Sequence, residues 1–202
     1  MARYDIPVAQ YRVEQVIDRS RFICTVAPAG SVEEAQAFVK RMNAEFADAT
    51  HNCWAYVIGP PGSTDRVGIS DDGEPHGTAG RPMLTVLLHS GVGDVVAVVT
   101  RYYGGTKLGT GGLVKAYGGA VQLAVEGMER APRVDWVGLE IVVSYASIGA
   151  LQQIWPACEV DVLEEIYEAD ARFRVRVPEE RVGELRAAVM DATRGQGVVR
   201  EV

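Results

Sequence analysis

The sequence predicts an α+β protein of two domains, and three observations carry that expectation. The run VGDVVAVVT, Val92 to Thr100, reads as a buried strand that feeds a glycine-rich loop, and beyond the loop Leu113, Tyr117, Ala120, Ala124 and Met128 recur at helical spacing. Past Ala131-Pro132-Arg133 the pattern restarts as strand, helix, strand, strand, helix, strand, the order of a ferredoxin-like unit. With 202 residues, 48% apolar and 23% charged, the chain has the length for one large domain or two small ones and can bury a sizeable core. The restart places the boundary near Ala131 to Val134, giving expected domains 1–131 and 134–202.

In the first part, YRVEQVI (Tyr11 to Ile17) alternates as a half-buried strand. SRFICTVAP follows after Asp18-Arg19, so the two runs should pair as a hairpin. Ser31 is placed to cap a helix running to about Asp48, with Glu34 at the capping-box position and Ala35, Phe38, Val39 and Met42 as its buried stripe. NCWAYVIG (Asn52 to Gly59) is a further strand, with His51 at its entrance in a capping or packing role. The segment ISDDGEPHGTAGRPML (Ile69 to Leu84) crowds Asp71, Asp72, Glu74 and His76 into one turn ahead of a short helix, with Thr78 as its expected N-cap.

In the second part the strands are expected at Val134–Tyr145, Val160–Tyr167, Ala171–Val177 and Gly197–Val202, and the helices at Ser147–Ala157 and Pro178–Ala192. Arg172, Arg174 and Arg176 alternate with Phe173, Val175 and Val177, so the apolar set should face the core. The basic row then reads as a solvated face, since Glu164, Glu165 and Glu168 on the neighbouring strand are placed to neutralise it, with nucleic-acid contact as the alternative.

Composition removes several classes of function. Cys24, Cys53 and Cys158 are odd in number and lack metal-ligand spacing, so neither a disulfide framework nor a structural zinc is expected, and the thiols should be reduced in a cytoplasmic setting. MARYDIPVAQ has no apolar targeting core, and the most hydrophobic stretch is interrupted by His89 and Asp94, so no membrane role is expected. The net charge is -7, split as -2 over residues 1–131 and -5 over 132–202, which argues against binding polyanions over the whole surface.

Thr100–Gly119, TRYYGGTKLGTGGLVKAYGG, concentrates the unusual chemistry. It holds Gly104, Gly105, Gly109, Gly111, Gly112, Gly118 and Gly119, and the only charges between Asp94 and Glu126 are Arg101, Lys107 and Lys115. A helix start offers unpaired N–H groups and the positive end of a dipole, so a cationic glycine loop at that place suits phosphate. Thr110 is the expected N-cap, and Gly118 and Gly119 are assigned to close helix packing. The loop fits neither a P-loop nor a dinucleotide fingerprint, because Lys107 is followed by Leu108 and the glycine spacing differs.

Taken together, DDGEPHGTAGRPML (Asp71 to Leu84) and VVTRYYGGTKLGTGGLVKAYGGAV (Val98 to Val121) resemble the IMPACT family, in particular its bacterial members of the YigZ type. The resemblance implies a first domain like the fourth domain of elongation factor G and the GHMP kinases, with a left-handed βαβ crossover against the usual hand. It implies a second domain like that factor's last one. Eukaryotic relatives regulate translation under stress, and bacterial members look like nucleic-acid or ribosome binders. At His76 relatives often carry serine or another small residue, so His76 is not assigned as a catalyst.

The leading expectation is therefore an RNA- or ribosome-binding protein that modulates translation, with phosphate and bases contacted by Arg81, Arg101, Tyr102, Tyr103, Gly104, Gly105, Lys107, Gly109, Gly111, Gly112 and Lys115. Asp71, Asp72, Glu74, His76 and Thr78 form a candidate polar site for a partner or substrate. No catalytic residue, resident metal or cofactor is assigned. The alternatives are a phosphoryl-transfer or hydrolytic enzyme using the acidic turn and glycine loop with Mg²⁺, and a module that binds another protein.

Overall fold

The computed structural model describes residues 3–202 and divides the chain into two compact units, Tyr4–Arg133 and Val134–Val202, the latter with Arg3. The first unit runs β1 (Tyr4–Pro7), β2 (Tyr11–Ile17), β3 (Ser20–Pro28), α1 (Val32–Glu45), β4 (His51–Val57), β5 (Val67–Ser70), α2 (Gly80–His89), β6 (Val95–Tyr102), α3 (Gly109–Gly127) and β7 (Arg130–Arg133). Its main sheet has the order β2-β3-β6-β4-β5, and β6 is antiparallel to both β3 and β4.

The unbroken apolar run of β6 follows from burial on both faces, which leaves no position for an outward polar residue. Val95, Ala97 and Val99 pack against α2 and α3 together with Phe22, Cys24 and Cys53. Val96 and Val98 face the other way, onto the stripe Ala35, Phe38, Val39 and Met42 of α1. This alternation decides which side chains at the end of β6 lie on the α3 side of the sheet.

Local chemistry sets the element ends. Asp18 and Arg19 both have positive φ, 46° and 68°, the two-residue turn whose twist suits the β2–β3 hairpin. Ser31 caps α1 by accepting from the Glu34 N–H at 3.2 Å, while the Glu34 carboxylate accepts from the Gly30 N–H at 2.8 Å, one residue ahead of the usual capping-box partner. β1, β5 and β7 are strands that the sequence pattern did not reveal; β1 pairs with β7 from Tyr4↔Arg133 to Pro7↔Arg130.

Three assignments are corrected. Thr78 does not cap α2: its hydroxyl donates to the Pro75 carbonyl at 2.6 Å, and the N-cap position is Ala79. Thr110 lies in the first turn of α3, whose N-cap is Leu108, and no side chain caps that helix. Gly118 and Gly119 are not required by packing, since a methyl group at either would stand 3.8 Å or more from its nearest neighbour.

The second unit runs β8 (Trp136–Val143), α4 (Ile148–Ala157), β9 (Asp161–Tyr167), β10 (Ala171–Pro178), α5 (Val182–Ala192) and β11 (Val198–Glu201). The order β11-β8-β10-β9 with antiparallel pairing is the ferredoxin-like arrangement. Phe173, Val175 and Val177 join Leu139, Ile141, Leu151 and Leu185 in its core. Arg172, Arg174 and Arg176 stand on the outer face, each beside an acid: Glu140 at 3.8 Å, Glu164 at 2.9 Å and Asp161 at 2.6 Å. The basic row is thus locally neutralised.

Candidate functional site

Strand register builds the site. Arg101 pairs with Phe22 on β3 and with His51 on β4, so these three side chains form a row on the α3 side of the sheet. Tyr102, one residue on, takes the opposite alternation and donates its hydroxyl to Asp48 at 2.7 Å. Tyr103 ends the strand with its N–H held by Thr50 Oγ1 at 3.0 Å and its ring half exposed.

The Arg101 guanidinium lies between two aromatic faces, 5.5 Å from the Phe22 ring centre and 5.4 Å from that of Tyr103. Its Nη1 donates to Glu74 Oε1 at 2.6 Å, with only 6% and 3% of the two side chains exposed. The same Oε1 accepts the Tyr117 hydroxyl at 2.8 Å, and Tyr117 packs edge-on against Phe22. Arg101 Nε is sealed from solvent without a hydrogen-bond partner among the described residues. Along the chain the loop is cationic without acids; in space, Glu74 neutralises Arg101.

His51 stands beside this pair. Its Nδ1 lies 2.7 Å from the Asp72 carbonyl, which can only accept, so Nδ1 carries the hydrogen. In the neutral ring Nε2 is then an acceptor, 4.0 Å from Glu74 Oε1.

A cavity of about 520 Å³ opens over these groups. His51, Glu74 and Arg101 line its buried end, and Tyr103, Leu108 and Leu113 give it apolar walls. Lys107, Gly109 and Thr110 line its exposed side, where α3 begins with first-turn N–H groups that no side chain caps. Gly109 enters that turn with φ of 69°, a conformation that strains a residue with a Cβ. Gly104 serves packing: a Cβ there would overlap the Arg19 carbonyl group.

Of the residues expected at the site, the fold gathers Arg101, Tyr103, Lys107, Gly109 and Glu74 around one cavity. Tyr102, Gly104, Gly105, Gly111, Gly112 and Lys115 do not line it, and Arg81 lines a separate groove with Pro82, Val86 and Gly118. His51, Thr50 and the Leu108–Leu113 wall were missed. Register supplies the signal for His51, because a strand-entry residue opposite Arg101 must share its face.

The acidic turn is held mainly by backbone donors. Asp71 accepts from the N–H groups of Gly77 at 2.8 Å, Ala79 at 3.1 Å and Gly80 at 2.8 Å, which makes it the remote cap of α2. Burial pushes its carboxyl upward, but those bonds together outweigh burial and hold it below the ordinary aspartate value. Asp72 Oδ2 accepts the Asn52 N–H at 2.6 Å. His76 is fully exposed, 3.7 Å from Asp71, and among the described residues no three His, Cys, Asp or Glu side chains converge as metal ligands. The Cys53 thiol donates to the Asp71 carbonyl, and burial pushes its pKa up to about 12, so it is no nucleophile.

Fold and site together define a two-unit α+β protein with a basic-lipped, apolar-walled cavity on its first unit. The sequence profile of the Impact N-terminal domain matches residues 18–125, and that of a domain of unknown function, DUF1949, matches residues 141–196. The chain is 42% identical over 195 residues to the IMPACT family member YigZ of Escherichia coli strain K12, covering 96% of each chain. It is 36% identical over 200 residues to an IMPACT family member of Haemophilus influenzae, covering 99% of this chain and 97% of the relative. A crystal structure of a hypothetical protein superposes with a TM-score of 0.70 at 40% identity, covering 100% of this chain and 98% of that one. The chain belongs to the IMPACT family. No helix among the described residues is long and apolar enough to cross a membrane.

Proposed function

We propose that this protein binds single-stranded RNA, free or within the ribosome, through the cavity at the start of α3, and that it acts in translation by doing so. The observation that carries this reading is the convergence of an exposed Tyr103, a Lys107 with no acidic partner among the described residues and the uncapped α3 N-terminus on one cavity. A base stacks on the tyrosine ring and the leucine wall, while the adjoining phosphate meets Lys107 and backbone N–H groups. Arg101 takes a different part from the one expected of it. With its charge committed to Glu74, it supports the Tyr103 ring.

The outer face of the second unit contributes little, because each arginine of its basic row already has an acid beside it. The enzymatic alternative calls on the acidic turn to hold Mg²⁺, and there both Asp71 oxygens and Asp72 Oδ2 already accept backbone N–H groups while Glu74 Oε1 accepts from Arg101 and Tyr117. The test is hydrogen–deuterium exchange of the full chain with and without a single-stranded RNA oligonucleotide. Slowed exchange in residues 103–113 is the expected result. Protection confined to residues 161–178, or absent from both segments at saturating RNA, would overturn the assignment.

A further inference from the structure

The buried end of the cavity sets the Glu74 carboxylate and the His51 ring beside the Arg101 guanidinium. Both hydrogen bonds accepted by the Glu74 carboxylate fall on Oε1, from Arg101 and Tyr117, and occupy the two lone pairs of that oxygen. Oε2 receives none from the described residues. It is not sealed from solvent, although only 3% of the side chain is exposed, and Glu74 lines the cavity. Beside it, His51 Nδ1 is committed to the Asp72 carbonyl, which leaves Nε2 of the neutral ring as a second acceptor. The buried end therefore offers two acceptors a few ångströms apart. Of the nearby guanidinium, Arg101 Nη1 is spent on Glu74, whereas Nη2 has no hydrogen-bond partner among the described residues and is a donor at the same end.

We propose that the cavity selects guanine, seating the Watson–Crick edge of the base against Glu74 Oε2 and His51 Nε2 with its phosphate outward at Lys107 and the start of α3. The proposal rests on the RNA-binding reading and adds an orientation and a base preference to it. Among the four RNA bases, guanine carries two adjacent N–H donor groups on that edge, N1–H and the 2-amino group. Uracil sets its single N–H between two carbonyl oxygens, which a carboxylate repels. Adenine and cytosine each place an acceptor nitrogen beside the amino group. The volume of about 520 Å³ lies within the roughly 300–1,000 Å³ of small-molecule sites, and Tyr103 with the leucine wall supplies the apolar surface for the ring.

Calorimetric titration of the full chain with GMP, IMP, AMP, CMP, UMP and inorganic phosphate tests the proposal without altering the protein. GMP is expected to bind best. IMP, which lacks the 2-amino group, should bind about tenfold more weakly, the cost of one lost hydrogen bond, and UMP more weakly still. Equal affinity for GMP, IMP and UMP, no binding of GMP, or displacement of GMP by equimolar phosphate would each overturn it. A chain that binds RNA at residues 103–113 yet treats the mononucleotides alike loses the base preference alone; a chain that binds no RNA loses the underlying reading. As a second readout, a folded His51→Ala variant should narrow the GMP-to-UMP ratio, and an unchanged ratio contradicts the assignment of Nε2.

Discussion

Replacing Glu74 by alanine is expected to lower the free energy of unfolding by about 3–5 kcal/mol, because it strands the Arg101 charge in a site where 6% of its side chain is exposed. The size of the effect comes from the uncompensated charge more than from the value of the pair. The triple variant Glu74→Leu, Arg101→Met, Tyr117→Phe removes both charges and the hydroxyl that would lose its acceptor, so it should recover most of the loss. Urea unfolding followed by circular dichroism measures both. A Glu74→Ala protein as stable as the parent would mean that the pair is solvated, and the cavity would need a different description.

Asp71→Ala is expected to cost about 2–4 kcal/mol, since it leaves the N–H groups of Gly77, Ala79 and Gly80 without the carboxylate that gathers them at the start of α2. Asn at the same position keeps one acceptor oxygen and should lose less. The pH dependence follows from the depressed carboxyl. The unfolded chain takes up the proton at a higher pH than the folded one, so the Asp71 contribution is present above about pH 4 and disappears as pH falls through the lower folded value. The stability gap between parent and Asp71→Ala should therefore close on acidification. A gap that stays constant from neutral pH down to about pH 3 would show that the carboxylate is not what holds the turn.

What could be read in advance followed local rules, and what could not depended on distance. The β2–β3 hairpin, the α1 stripe and the inward Phe173, Val175 and Val177 were legible because period-2 and period-3.6 spacing reports directly on a buried face. β1 and β7 escaped because each has four residues, includes a proline and finds its partner at the far end of the unit. The helix caps failed for a related reason. Capping rules look at the residue next to the helix, whereas α2 takes its cap from Asp71, eight and nine residues ahead of the donors Ala79 and Gly80.

The site divides the same way. Lys107, Gly109 and Tyr103 were visible as a cationic glycine loop after a strand, yet the same reading enrolled Lys115, Arg81 and Tyr102, which do not line the cavity. For Tyr102 the reason is strand alternation, which sends it away from Arg101. His51 looked like a lone strand-entry histidine until β4 was set antiparallel to β6, which puts it opposite Arg101. Glu74 was legible as an acid in a crowded turn, and its pairing with Arg101 was not, because 27 residues separate the two.

The salt dependence of RNA binding by Lys107→Ala tests the central claim most directly. Fluorescence anisotropy with a labelled single-stranded oligonucleotide gives the slope of log affinity against log salt for parent and variant. One phosphate contact on a single strand contributes about 0.7 to that slope, so Lys107→Ala should lower it by about that amount and weaken binding at low salt. Tyr103→Ala should instead cost about 1–3 kcal/mol with the slope unchanged, as expected for lost stacking. A folded Lys107→Ala protein with the affinity and the slope of the parent would contradict the placement of phosphate at the start of α3.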